Sequence, residues 1–255
     1  MQYFLYFVVI IAFLALSSAN PVQKIVGGEP AIPHEFPYQI SIQIELGETH
    51  CGGSIINENY ILTAAHCKVP ENSSVVVAGA HNMVKPNGHE QTRKVAKFIR
   101  HKKYKGGDGH LYDIALIKVS KPFILNDYVQ RIELPPRDEY PTGEGVVSGW
   151  GITSVSDPII LQKAILPIHN RQTCEKMWFD VPNYDQTHVC AGRLDGSNNV
   201  CSGDSGGPLA QKQGEKNIVI GIVSWGMIPC ATPQKPGVFT LVSSYIDWIH
   251  ENMQQ

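Results

Sequence analysis

Past the first two dozen residues, the chain reads as short apolar-rich segments separated by turns. Tyr38–Ile44, Tyr60–Thr63, Ser74–Ala78, Ile114–Val119, Gly145–Ser148, Ile218–Ser224 and Gly237–Leu241 are rich in Val, Ile and aromatics. Each is bounded by Gly, Pro, Asn or Asp, which predicts strands. Ile40, Ile42 and Ile44 alternate with Ser41 and Gln43, the period of a half-buried strand. No strand alternates with a long helical pattern, so a parallel α/β sheet is not expected. The spacing predicts one helix over Ser243–Met253, capped by Ser243 or Ser244, with Ile246, Ile249 and Met253 on one face. The expected class is all-β with a C-terminal helix.

The amino terminus departs from this pattern. Tyr3 to Leu16 is an unbroken apolar run followed by Ser17, Ser18 and Ala19. Such a run is too short to span a bilayer, and small residues at its end suit a signal peptidase. Residues 1–19 are therefore expected to be a secretory signal, cut after Ala19, and the mature protein to be extracellular and free of the membrane. Six cysteines follow it: Cys51, Cys67, Cys174, Cys190, Cys201 and Cys230. An even number in an exported chain predicts three disulfides, although the count alone allows 15 pairings. Asn72-Ser73-Ser74 is a candidate N-glycosylation site. A net charge of -2 over 255 residues supplies no overall basic field for nucleic acid or anionic lipid.

Three segments carry the chemistry. Leu62-Thr63-Ala64-Ala65-His66-Cys67 sets a histidine beside a cysteine, Asp113 opens the apolar run Ile114-Ala115-Leu116, and Gly203-Asp204-Ser205-Gly206-Gly207-Pro208 sets a serine among glycines. Singly these read as packing, a turn residue and a loop. Together, in the order His, Asp, Ser, they resemble the chymotrypsin family of serine proteases, and the resemblance runs from Ile25 to the terminal helix.

That resemblance implies two antiparallel six-stranded β-barrels with the cleft between them, and hydrolysis of internal peptide bonds through an acyl-enzyme. A serine hydroxyl is a poor nucleophile until a base removes its proton. Imidazole is suited to that task and to returning the proton to the leaving amine. His66 is thus the implied base, Ser205 the nucleophile and Asp113 the group that fixes the ring tautomer. Ser224 is implied to hydrogen-bond Asp113, and the amides of Gly203 and Ser205 to face the oxyanion. The pairs Cys51–Cys67, Cys174–Cys190 and Cys201–Cys230 follow from the same resemblance.

Lys24-Ile25-Val26-Gly27-Gly28 resembles the family's activation site, leaving a propeptide of residues 20–24 before a protease domain of 25–255. Cutting after Lys24 frees an ammonium on Ile25, implied to pair with Asp204. Asn199, six residues before Ser205, is implied at the base of the specificity pocket, where trypsin-like members carry Asp. With Val200 beside it, Phe239 on the far wall and Gly226 and Gly237 leaving the walls open, large apolar or aromatic side chains are the expected fit. One amide at the floor would also accept polar uncharged groups. Trp178 and Trp225 are read either as substrate contacts or as packing. The loop Ala80 to Glu90 lacks the carboxylates of a tight calcium site, and no metal or cofactor is expected. The implied partners are protein or peptide substrates, a trypsin-like activator and protein inhibitors of proteases, acting on a monomer. The three-bridge set and short propeptide look more like invertebrate digestive members of the family.

Overall fold

A computed structural model describes residues 27–44, 49–151, 159–201 and 203–254. The expected signal and propeptide, with Lys24 and Ile25, lie outside the described residues. A two-residue strand, β1 (Glu29–Pro30), precedes β2 (Gln39–Gln43), β3 (Thr49–Asn57), β4 (Tyr60–Thr63), β5 (Val75–Ala78), β6 (Gln91–Arg100) and β7 (Ala115–Val119). The second half holds β8 (Glu144–Gly149), β9 (Gln162–Pro167), helix α1 (Arg171–Met177), β10 (His188–Ala191), β11 (Pro208–Gln213), β12 (Lys216–Trp225), β13 (Gly237–Leu241) and helix α2 (Ile246–Met253).

Strands β2 to β7 close into an antiparallel barrel in the order β2-β3-β4-β7-β6-β5. Ile40, Ile42, Ile55, Ile61, Leu62, Val76, Leu116 and Ile117 fill its core. Each such side chain, fully removed from water, contributes about 1.5–3 kcal/mol. The second half was expected to form an equal barrel and differs in one respect. Its strands form a curled seven-stranded sheet, β1-β9-β8-β11-β12-β13-β10, whose ends share no ladder. Among the described residues the seam is bridged at Ile168 and Ala191, with Gly192 N–H donating to the Pro167 carbonyl at 3.0 Å and His169 N–H to the Cys190 carbonyl at 3.1 Å. Pro167 has no N–H to extend a ladder. Beyond it Asn170 caps α1 by accepting from Thr173 N–H at 2.9 Å, which turns the chain away.

The terminal helix is shorter than expected. Val242–Tyr245 forms a 3₁₀ turn ahead of α2, and no side chain caps α2. Ser243 is buried and donates instead to the Glu139 carbonyl at 2.6 Å. The Glu139 carbonyl takes the hydroxyl that a cap would need. Ile246 and Ile249 face the first barrel's core as the spacing predicts.

All three implied disulfides form: Cys51–Cys67, Cys174–Cys190 and Cys201–Cys230. The halves meet through polar contacts as well. Ser148 Oγ on β8 donates to Gln39 Oε1 on β2 at 2.6 Å, and Thr240 Oγ1 on β13 donates to the Asp113 carbonyl at 2.8 Å. Residues from both halves are thereby fixed at one boundary.

Candidate active site

His66 sits in a 3₁₀ turn, Ala65–Cys67, directly after β4. The Cys51–Cys67 bridge ties this turn to β3. Asp113 stands just before β7 and is fully buried. A buried carboxylate needs partners, and Asp113 has them. Oδ1 accepts from the His66 backbone N–H at 2.9 Å, and Oδ2 lies 2.7 Å from His66 Nδ1. Ser224 Oγ, on β12, donates to the same Oδ2 in a short hydrogen bond. Burial by itself would raise the pKa of this carboxyl. The nearby His110 dipole, the bonds from His66 and Ser224 and the charge of His66 outweigh it and hold the group well below the usual carboxylate range. His110 Nδ1 is 3.6 Å from Oδ2, too far for a hydrogen bond but near enough to favour the anion. This ionised acceptor leaves the His66 proton on Nδ1 and the lone pair on Nε2, facing away from Asp113.

Ser205 comes from the loop before β11 and is held against the first barrel. Its carbonyl accepts from Gly52 N–H at 2.8 Å. Next to it, Gly206 has φ +75° and lies so close to Thr63 and Cys67 that an added Cβ would sit 2.3 Å from Thr63 Oγ1 and 3.1 Å from Cys67 Sγ. Only glycine fits this contact, and it brings the serine loop onto the turn that carries His66. Among the described residues Ser205 Oγ makes no hydrogen bond, to the ring or elsewhere. Among the same residues the amides of Gly203 and Ser205 have no acceptor, leaving two donors free. Gly203 takes φ +89°, a conformation that favours glycine.

Asp204 points the other way, into the interior. It is fully buried, and among the described residues its carboxylate accepts from Gly151 N–H and Cys201 N–H, each at 3.1 Å. Burial pushes its carboxyl up to about 7, against the opposing pull of those two amides. No cation pairs with it among the described residues.

Beside Ser205 opens a cavity of about 200 Å³, lined by Val200, Cys201, Val223, Ser224, Trp225, Gly226, Met227, Ile228 and Cys230. The expected pocket residues divide. Val200 and Gly226 line the cavity. Asn199, Gly237 and Phe239 are not among its lining residues. Asn199 Oδ1 accepts from Val200 N–H at 2.9 Å and Gly237 N–H at 2.8 Å, while Nδ2 donates to the Lys235 carbonyl at 3.0 Å. The Val200 side chain abuts the Gly237 backbone, so close that a Cβ there would be 2.5 Å from Val200 Cγ2. Phe239 is wholly buried in the core of the second sheet. The amide expected at the floor is thus engaged by backbone, and an isopropyl group stands in front of it. The tryptophans divide too. Trp225 lines the cavity, whereas buried Trp178 packs edge-on against it at 4.7 Å.

Met227, Ile228 and His110 carry no motif of their own, and reading the sequence did not single them out. His110 lies three residues before Asp113, a spacing that could have drawn attention to it. Glu90 accepts from the Asn87 and Gly88 amides at 2.9 Å. Its carboxylate therefore closes its own turn. The exposed Asn72 has φ +65° at the tip of a turn before β5.

Comparison with known proteins agrees with this geometry. The family model described as Trypsin matches residues 25–249. Trypsin-1 of Astacus astacus is 41% identical over 240 residues, covering 89% of this chain and 99% of that protein. Coagulation factor IX of Cavia porcellus is 41% identical over 234 residues, covering 88% of this chain and 80% of that protein. Kallikrein-15 of Saguinus oedipus is 36% identical over 258 residues, covering 96% and 97%. The chain belongs to the trypsin family, the serine endopeptidases of chymotrypsin-like fold.

Proposed function

We propose that this protein is an exported serine endopeptidase that is switched on by cleavage after Lys24 and prefers apolar or aromatic residues before the scissile bond. The observation that carries the proposal is the buried Asp113 carboxylate, bonded to His66 Nδ1 and Ser224 Oγ beside the mouth of an apolar cavity that Ser205 overlooks. His66 Nε2 takes the Ser205 proton as Oγ bonds to the substrate carbonyl carbon. The carbonyl oxygen becomes an oxyanion facing the free amides of Gly203 and Ser205. His66 then gives its proton to the departing amine nitrogen, the C–N bond breaks, and an acyl-enzyme remains. Water repeats the sequence with Nε2 as base, releasing the acid and restoring Ser205.

Asp204 supports the activation step. A carboxylate buried without a countercharge is costly, and a free Ile25 ammonium would supply that charge. Gly27, two residues further on, already lies against Ser197 and Asn198, next to the pocket segment. Formation of the pair would fix the 199–204 segment and orient the Gly203 amide.

The cavity supports the substrate preference. A 150 Å³ apolar cavity accepts benzene, so about 200 Å³ with an apolar floor admits an aromatic ring. Among the described residues no carboxylate lines it, so a cationic side chain would be buried uncompensated. With the Asn199 amide engaged, polar uncharged side chains are disfavoured as well. Substrates are peptides and proteins; the activator is a protease cutting after Lys; protein inhibitors would occupy the same cleft. The apolar run at residues 3–16 supports export, the exposed turn at Asn72 supports glycosylation there, and we take the enzyme as a monomer. Cleavage of a peptide library by the Lys24-cut protein tests the reading. Cuts should follow Phe, Tyr, Leu or Met, and a dominant preference for Arg or Lys would overturn the pocket assignment.

A further inference from the structure

The net charge of -2 conceals a local excess of the opposite sign. Residues 93–105 hold seven of the 21 Lys and Arg and no Asp or Glu. Within this stretch Arg93 is engaged by the Pro122 and Thr92 carbonyls and by Gln91 Oε1, and Arg100 lies over the Tyr104 ring. Lys102, Lys103 and Lys105 differ. All three are exposed, and together they line a cavity of about 500 Å³ on the loop that leads to His110. Leu111, Tyr112 and Asn183 add apolar and amide surface to it, with Lys103 Nζ 5.4 Å from the centre of the Tyr112 ring. Asp108 supplies the single carboxylate of the lining, so the cavity is positive overall. Among the described residues neither Asp108 nor any of the three ammonium groups has an ion-pair partner.

Both walls of the cavity continue into the cleft. On one side Leu111 adjoins His110, whose ring stands edge-on to His66 at 5.7 Å between centroids. On the other, Asn183 adjoins Tyr184, whose ring is 6.4 Å from that of Trp225, and Trp225 lines the cavity beside Ser205. The two loops are held together. Asn183 Nδ2 donates to the Asp108 carbonyl at 3.3 Å, and Gly109 packs so closely that a Cβ there would sit 2.3 Å from the Pro182 carbonyl oxygen.

We propose that the lysine-lined cavity is a second substrate subsite, taking an Asp or Glu side chain that lies three to six residues before the scissile bond. The assignment rests on the reading of the cleft given above. The bond to be cut lies at Ser205, so the chain after it departs past the serine and the chain before it runs over Trp225. At about 3.3 Å per extended residue, the third residue before the cut and those preceding it have passed Tyr184. A carboxylate there meets three ammonium groups in a concave setting, where opposite charges attract more strongly than on open surface. Leu111 and Tyr112 receive the methylene stem of the same side chain. A sulfated polysaccharide would meet the same charges but is polar along its whole length and gains nothing from those two residues. An apolar residue at the cut and an acidic one upstream together restrict the enzyme to few bonds in any substrate.

Binding and turnover test the subsite separately. Two fluorescent peptides carry Phe before the cut and differ only in having Glu or Gln at the third to sixth positions upstream. In the Lys24-cut Ser205→Ala protein, fluorescence anisotropy should show the Glu peptide bound about tenfold more tightly at low salt. That advantage should shrink at about 0.5 M sodium chloride. In the cut enzyme kcat/KM should favour Glu by a similar factor, expressed in KM. Combined Lys102→Ala, Lys103→Ala and Lys105→Ala should bring both Glu-to-Gln ratios to about one. Combined Lys103→Glu and Lys105→Glu should instead favour a peptide with Lys at those positions. Ratios insensitive to the lysines would overturn the proposal. So would equal binding of the two peptides while heparin binds through the same lysines. If neither peptide is cut, the reading of the cleft fails, and the binding ratio still decides the cavity.

Discussion

The buried Asp204 makes the uncut chain sensitive to pH in a direction opposite to that of most carboxylates. Its ordinary value of 3.8 rises to about 7 in the fold, because burial removes it from water. Between those values the unfolded chain has lost this proton while the folded chain keeps it. The folded state therefore binds more protons, and stability falls as pH rises through the interval. Three units at about 1.4 kcal/mol each give a loss of about 4 kcal/mol between pH 4 and 7, an order-of-magnitude figure. His34 and His101 act in the other sense. Burial first, then neighbouring cationic groups, lowers both, so each contributes stability that appears as pH rises. A raw stability profile mixes these effects, and a paired comparison separates them. Urea denaturation of the uncut protein and of its Asp204→Asn variant, at pH 4.5 and pH 7.5 with disulfides intact, gives the difference directly. The variant should gain on the parent by several kcal/mol at the higher pH and little at the lower. Parallel profiles for the two proteins would show that Asp204 ionises freely, and the argument for a stored demand for the Ile25 ammonium would fail.

Four further outcomes are expected. Asp113→Asn should lower turnover by about 10⁴, the magnitude known for this family's type enzyme, with little change in KM; near-normal hydrolysis would remove Asp113 from the relay. Protein beginning Met-Ile25 should be inactive, and the correctly cut enzyme should lose activity at alkaline pH. Paired with Asp204, the freed Ile25 ammonium should titrate above the free-amine reference of about 8, so that its contribution is intact below that value and lost above its folded one. Val200→Ser should open the cavity floor toward Asn199 and raise kcat/KM for Gln before the cut relative to Phe, measured on matched peptides; an unchanged ratio would show that Val200 does not guard the floor.

The catalytic segments were legible because their chemistry needs particular residues at particular places. His66, Asp113, Ser205 and Ser224 were singled out by resemblance to a family motif, and the structure joins His66, Asp113 and Ser224 by hydrogen bonds. Strands were legible where β-branched residues cluster, as in Val75–Ala78 and Lys216–Trp225. Those hidden from the pattern have identifiable causes. Strand β3 contains Gly52 and Gly53, which weaken any strand signal. They are there because Gly207 and Ile61 come within 3 Å of where their side chains would be. Strand β6 is charged and largely exposed, so its sequence carries no inward stripe beyond Val95 and Ile99. The pocket was only half legible. A matching motif locates Asn199 along the chain, but whether its amide faces substrate depends on Val200, Gly237 and Lys235, which meet only in three dimensions. The unpaired nitrogen of His110 is likewise a property of packing, invisible along the chain.

The central claim is that Ser205 is a nucleophile made reactive by His66 and delivered by cleavage after Lys24. Reaction with a fluorophosphonate probe, followed by mass-spectrometric mapping, tests it most directly. Ser205 should be labelled rapidly and stoichiometrically in the cut protein, slowly before the cut, and not at all in His66→Ala. Equal labelling of the His66→Ala protein, or an unlabelled Ser205 after the cut, would contradict it.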